Sequence, residues 1–178
     1  MIYVASAADP SIAVNVSPRQ IRRPGFADLL ASVLSETGLP PSRLELEITE
    51  STLMADHGPG SAALEALADA GVRLAVDDFG TGFSNLACLQ RFPIGCLKID
   101  RSFIERIGHE PDNDTLVSAL LAMARNMRLR VIAEGVETVE QIEFLKRQGC
   151  AEAQGFYYAR PMSADAFFSV YLSTLPTQ

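Results

Sequence analysis

Cysteine is scarce. Cys88, Cys96 and Cys150 are the only three, and no C-x-x-C pair occurs. An odd, scattered set excludes a disulfide framework and reads as reduced core thiols in a cytosolic setting. Histidine is scarcer still, with only His57 and His109, which excludes a histidine-rich zinc centre and leaves any metal to oxygen ligands. No uninterrupted apolar run reaches about 18 residues, so no transmembrane helix is expected. The first residues, MIYVASAADPS, have neither the basic start nor the long apolar stretch of a signal peptide. Positive charge is in the minority, 15 Lys and Arg against 22 Asp and Glu, for a net charge of −7. A chain of that sign is not expected to coat duplex nucleic acid. A small anionic ligand stays compatible with it, because a bound cation reverses the local field. No Pro/Gly/Ser linker or low-complexity segment divides the sequence, so residues 1–178 are read as one domain. Its 48% apolar and 21% charged residues are those of a globular protein and exclude a disordered chain, a collagen and a coiled coil.

What is present is an alternation. Short apolar runs at 12–16, 44–48, 72–76, 96–99, 130–133 and 153–157 read as strands buried on both faces. Helical patterns lie between them. Phe26, Leu29, Leu30, Val33 and Leu34 make one apolar face, with Gly38 as its C-cap. Leu64, Leu67 and Ala68 make the next, ending at Gly71. Residues 112–127 follow an acidic first turn, which suits the helix dipole. Thr138 and Gln141 form a capping box for a helix that stops at Gly149, and 163–175 is an amphipathic terminal helix. Strict β/α alternation gives a parallel sheet with crossover helices. The two candidates are a doubly wound sheet and a TIM-type (β/α)8 barrel, and no G-x-G-x-x-G follows the first strand to favour the former.

The strand ends choose between them. Asn15 ends the first run, Glu47 and Glu50 the second, Asp77 and Asp78 the third, Lys98 and Asp100 the fourth, Glu134 and Glu137 the fifth, and Gln154 lies in the sixth. A doubly wound sheet gathers such residues at one switch point. A barrel builds its site from the C-terminal end of every strand, and this fold is the expectation. Taken alone, a strand-end carboxylate is an ordinary helix cap, Lys98 an ordinary snorkelling lysine and Asn15 a turn residue. Six consecutive strand ends together are not so easily explained. The adjacent Asp77 and Asp78 repel each other unless a cation or protons intervene. Asn carbonyl and carboxylates without thiols favour Mg²⁺ or Mn²⁺. Several carboxylates at one mouth suggest two ions, roughly 4 Å apart, with a lysine beside them, a set suited to phosphodiester hydrolysis.

The strings NVS, ELEITE, DDFGTGFSNL, LKIDRSF, AEGVET and QGF-x-x-A-R-P resemble, in order and spacing, the EAL-domain phosphodiesterases, which cut cyclic di-GMP to the linear dinucleotide. The resemblance runs from about residue 12 to 161. It implies that Asn15, Glu47 and Asp77 ligate metal and that Asp78 ligates a second ion. It implies that Lys98 helps hold the nucleophilic water and that Glu134 sits at that water as general base. Glu137, Gln154 and Asp100 are implied as supporting groups. Glu50 is implied to anchor the loop 79–85, which couples metal binding to dimerisation. Phe83 and Asn85 stand in that loop where the family often has Tyr and Ser. Cyclic di-GMP as ligand, a homodimer and a cytoplasmic place, within a larger signalling protein, are the implied partners and setting.

One departure is large. No Glu-Ala-Leu stretch, whose glutamate binds metal in this family, precedes Asn15. The expectation is therefore an incomplete barrel with about six of eight strands: a non-matching segment 1–11, a motif-bearing barrel 12–161 and a terminal helix 162–178. Open edges near 12–16 and 153–157 are expected to lower stability or to pair with another chain, with Ile2, Tyr3 and Val4 covering part of the gap. The lost carboxylate is expected to weaken a metal site, and the alternative reading is an inactive cyclic di-GMP-binding or protein-docking module. Retention of Asn15, Glu47, Asp77, Asp78, Lys98 and Glu134 favours a truncated enzyme domain over one evolved to be inactive.

Overall fold

A computed structural model describes residues 11–55, 58–81, 86–167, 169 and 170. Six strands form one sheet in the order β1-β2-β3-β4-β5-β6. They are β1 (Ile12–Asn15), β2 (Leu44–Thr49), β3 (Arg73–Phe79), β4 (Cys96–Ile99), β5 (Arg130–Glu134) and β6 (Glu152–Gln154). Every neighbouring pair is parallel. Spatial order therefore follows chain order without reversal, which makes the sheet an arc of a TIM-type barrel and not a doubly wound sheet. The helices are α1 (Pro18–Ile21), α2 (Phe26–Thr37), α3 (Glu50–Ala55), α4 (Pro59–Asp69), α5 (Leu86–Arg91), α6 (Arg101–Ile104), α7 (Pro111–Asn126), α8 (Val139–Arg147) and α9 (Ala164–Phe167).

The helices begin and end where the sequence provides caps. Gly38 takes φ 69° at the end of α2, a left-handed position that costs glycine little. Thr138 and Gln141 close a capping box on α8, and Ser17 and Gln20 do the same on α1. The terminal helix read over 163–175 is described only as Ala164–Phe167.

Side chains alternate across the sheet. Leu74, Val76, Leu97, Ile99 and Ala133 join the large core under the helices, whereas Ala75, Cys96 and Ile132 form a separate small cluster. The second set marks the inner face of the arc. Parity then puts Glu45, Glu47, Asp77, Lys98, Arg130, Glu134, Glu152 and Gln154 on that inner face.

Two features depart from the sequence expectation. The run at 153–157 is strand only to Gln154. There the chain curls around Val136, whose amide donates to Gln154 O and whose carbonyl accepts from Tyr157 N. Phe156, Tyr157 and Tyr158 are consequently half-exposed in a turn. The second feature is in β3, where the register with β4 shifts between Val76 and Phe79 and Asp78 takes φ 53°. The left-handed backbone thus falls on Asp78 as well as on Gly80, whose φ is 97°.

Candidate active site

Lys98 sits at the centre of the C-terminal end of the arc. Its neighbours Leu97 and Ile99 point into the helix-side core, so the strand turns Lys98 inward, where it is 2% exposed. Its Nζ lies 2.7 Å from Glu47 Oε1, 2.7 Å from Glu134 Oε1 and 3.0 Å from Asp77 Oδ1. This is a buried ammonium held by three strands, not a snorkelling surface lysine. Burial pulls its pKa down, but Glu134, Glu47 and Asp77 outweigh that and hold it above the ordinary lysine value.

Glu134 is the counterpart. Burial pushes its pKa up to about 7, against the lowering pull of Lys98 and with help from Asp77 and Glu47. Gln154 Nε2 donates to the same Oε1 at 2.5 Å, so β4, β5 and β6 converge on one oxygen. The bulge in β3 explains how two adjacent carboxylates serve one mouth. In a regular strand Asp77 and Asp78 would face opposite sides. The irregularity makes Asp78 an extra residue and returns Phe79 to the helix-side core. One ligand oxygen each from Asp77, Asp78 and Glu134 then lies within 4.8 Å of the others. Burial, Asp77 and Asp100 raise the pKa of Asp78, and Lys98 lowers it.

Three carboxylates on one buried ammonium leave negative charge uncompensated. Glu47 Oε2 is buried without a hydrogen-bond partner. Asp77 Oδ1, although close to Lys98, accepts no well-directed hydrogen bond. Buried oxygens in that condition are costly unless something binds them. An all-oxygen, excess-negative cluster with orphaned acceptors fits a hard divalent cation.

The other predicted residues surround this cluster. Asn15 pairs in register with Glu47 on the edge strand and is exposed. Glu50, the first residue of α3, is buried, and its Oε2 accepts from Gly80 N at 3.3 Å. It therefore holds the start of the segment after Asp78, while Phe83 and Asn85 lie outside the described residues. Asp100 caps α6 by accepting from Ser102 N at 3.0 Å. Glu137 stays on the rim, 3.3 Å from Arg101 Nη2. Neither Asp100 nor Glu137 touches Lys98.

A second polar group went unread in the sequence. Arg130 bridges Glu45 Oε2 at 3.2 Å and Glu152 Oε1 at 3.0 Å at the opposite end of the arc. Its signal was parity, since Glu45, Arg130 and Glu152 each lie an even step before Glu47, Glu134 and Gln154 on the same strands.

The family model for the EAL domain matches residues 3–161. The chain belongs to the EAL domain family. It is 47% identical over 158 residues to the bifunctional diguanylate cyclase/cyclic di-GMP phosphodiesterase MucR of Pseudomonas aeruginosa, covering 89% of this chain and 23% of that one. The solved PaMucR phosphodiesterase in complex with c-di-GMP superposes with a TM-score of 0.83 at 46% identity, over 88% of this chain and 64% of that one. BlrP1 of Klebsiella pneumoniae, solved with manganese and cy-diGMP, gives a TM-score of 0.80 at 31% identity over 86% of this chain and 39% of that one. The chain spans about a fifth of the length of the curated relatives it matches. These EAL neighbours bind the cyclic dinucleotide, and one was solved with a divalent metal as well.

Proposed function

We propose that this EAL domain hydrolyses cyclic di-GMP to the linear dinucleotide with the help of divalent cations, Mg²⁺ or Mn²⁺, bound as a pair. The observation that carries this reading is the buried ammonium of Lys98 shared by Glu47, Asp77 and Glu134, with Asp78 brought to the same mouth by the β3 bulge. Likeness to MucR and to the PaMucR c-di-GMP complex supports the substrate.

Asn15, Glu47 and Asp77 are assigned to one ion, and Asp78 with Glu134 to the other. Bound there, the ions would neutralise phosphate charge and acidify the attacking water. The chain's own groups do the rest. Lys98 orients the water by donating hydrogen bonds from a fixed position. Glu134 takes its proton as the water oxygen bonds to phosphorus and the P–O bond to one ribose breaks, the leaving oxygen taking a proton from solvent. Gln154 fixes the Glu134 carboxylate, and Glu50 fixes the segment beginning at Gly80. Glu137 and Asp100 act on the rim, through Arg101 and α6. A homodimer and a cytoplasmic setting belong to the same reading. In support of the setting, no helix among the described residues is long and apolar enough to cross a membrane.

The test is turnover of cyclic di-GMP by the purified chain with Mg²⁺ or Mn²⁺, following the linear product by chromatography. Glu134→Gln should lower the rate about a thousandfold. A folded chain that binds the dinucleotide without cutting it would make the domain a binding module instead.

A further inference from the structure

Between the two loops of the site lies α6, a single helical turn from Arg101 to Ile104. A helix this short does not hold itself. Side chains on its backbone hold it, and one of them is Arg106, whose Nε donates to Ser102 O at 2.7 Å. Asp100 caps its first turn. At its other end Asn113 Nδ2 donates to Phe103 O at 2.8 Å, and Gln141 Nε2 donates to Ile104 O at 3.1 Å. Asn113 and Gln141 are 5% and 6% exposed, from α7 and α8 respectively.

Both site loops rest on α6 at glycines. A Cβ at Gly80 would come within 2.8 Å of Phe103 Cε2, and one at Gly135 within 2.8 Å of Arg101 Cβ. Gly80 follows the Asp77, Asp78, Phe79 run, and Gly135 follows Glu134. Backbone thus lies directly on α6 side chains on either side, with nothing between to absorb a shift. Gln141 also reaches the second loop, since its Oε1 accepts from Glu137 N at 2.8 Å and Thr138 N at 3.0 Å. One buried amide therefore ties α6 to the segment carrying Glu134.

We infer that Gln141 is a positioning residue which, through α6, sets the separation of Asp77 and Asp78 from Glu134 and so the affinity for divalent cations. This rests on the reading that those carboxylates hold metal.

The experiment is Mn²⁺ affinity of the whole chain, measured by the loss of the free-ion electron paramagnetic signal. Gln141→Glu keeps the acceptor for the two amides and loses the donor to Ile104. Asn113→Ala loses the tie to Phe103 without touching the Glu134 loop. Both should bind Mn²⁺ about tenfold more weakly, the scale at which loss of an outer supporting group is felt at a metal. Leu145→Ala, which hollows the core under α8, should be less stable yet bind as the wild type does. Unchanged affinity in Gln141→Glu or in Asn113→Ala overturns the inference, and so does an equal loss in Leu145→Ala. If Gln141→Glu does not fold, Phe103→Leu, which shortens the ring beneath Gly80, should give the same loss, and wild-type affinity there overturns it. A wild-type chain that binds no Mn²⁺ removes the metal reading and this inference together. One that binds Mn²⁺ but does not cut cyclic di-GMP removes the proposed function alone, and the affinities still decide.

Discussion

The inner face of the arc has two polar ends built from the same strands, and they are built differently. At the N-terminal end Arg130 stands between Glu45 and Glu152, and a second arginine, Arg73, borders the same cleft of about 320 Å³. Cations and carboxylates there are equal in number. At the C-terminal end one ammonium faces Glu47, Asp77 and Glu134, with Asp78 beside them. Between the ends lie Ala75, Cys96 and Ile132. A balanced cluster can serve stability without a ligand. An unbalanced one keeps its charge for something that arrives from outside. The cleft bordered by Arg73 thus lies at the balanced end, away from the unbalanced cluster.

The largest effects should separate the two ends. Removing the guanidinium in Arg130→Met strands Glu45 and Glu152. The expected loss is about 2–3 kcal/mol of stability, below the range for fully buried pairs, because the Arg130 side chain is 33% exposed. Turnover per folded molecule should hardly change. Glu134→Gln should do the reverse, lowering turnover about a thousandfold with little loss of stability. Urea unfolding alongside the rate assay checks both, and an Arg130 variant that is stable but inactive would break the distinction.

The next effect is one of pH. Burial holds Glu134 at about 7, above its ordinary 4.5. Between those values the folded, metal-free chain keeps a proton that the unfolded chain has released. The contribution is full below about pH 4.5 and is lost as pH rises through about 7. In the presence of a chelator the chain should therefore be more stable at pH 5 than at pH 8, by about 2 kcal/mol from this group. Glu134→Gln should flatten that slope. Lys98, held above its ordinary value, keeps its charge throughout this window and adds no slope. An unchanged slope in the variant would assign it elsewhere.

The smallest effect concerns the layer between the ends. Burial, with Glu45 nearby, pushes the Cys96 thiol up to about 12, and burial raises Cys150 as well. Both are free and buried. Native protein should leave these two unalkylated by iodoacetamide at pH 8 while urea-unfolded protein reacts at both, as peptide mapping would show. Labelling of Cys96 in the native chain would mean that the arc opens.

Much of this was legible from strand ends. The polar residues closing 44–48, 72–76, 96–99 and 130–133 suffice to foresee that Glu47, Asp77, Lys98 and Glu134 share one face, because parallel strands in sequence order bring their ends together. The Asp78 bulge was not legible. Its cause is a register shift against β4, which depends on a partner strand some twenty residues away. Gly155 hid a second error. The aromatic residues after it have high strand propensity, but the hydrogen bonds to Val136 turn the chain out of the ladder. Asp100 and Glu137, read as supporting groups, follow strands as the inner carboxylates do. What separates them is which group the short α6 presents to each, the Ser102 backbone N–H to one and the Arg101 guanidinium to the other.

The φ of 53° at Asp78 narrows what evolution can place there. Glycine and asparagine accept a left-handed backbone but bring no charge, and glutamate brings the charge without the short side chain that makes this conformation tolerable. Aspartate alone meets both demands. On the proposed reading of Asp78 as a cation ligand, the backbone and the charge together favour aspartate at position 78. Asparagine would keep the backbone and give up the carboxylate, and glutamate would keep the charge on a side chain less suited to the left-handed turn.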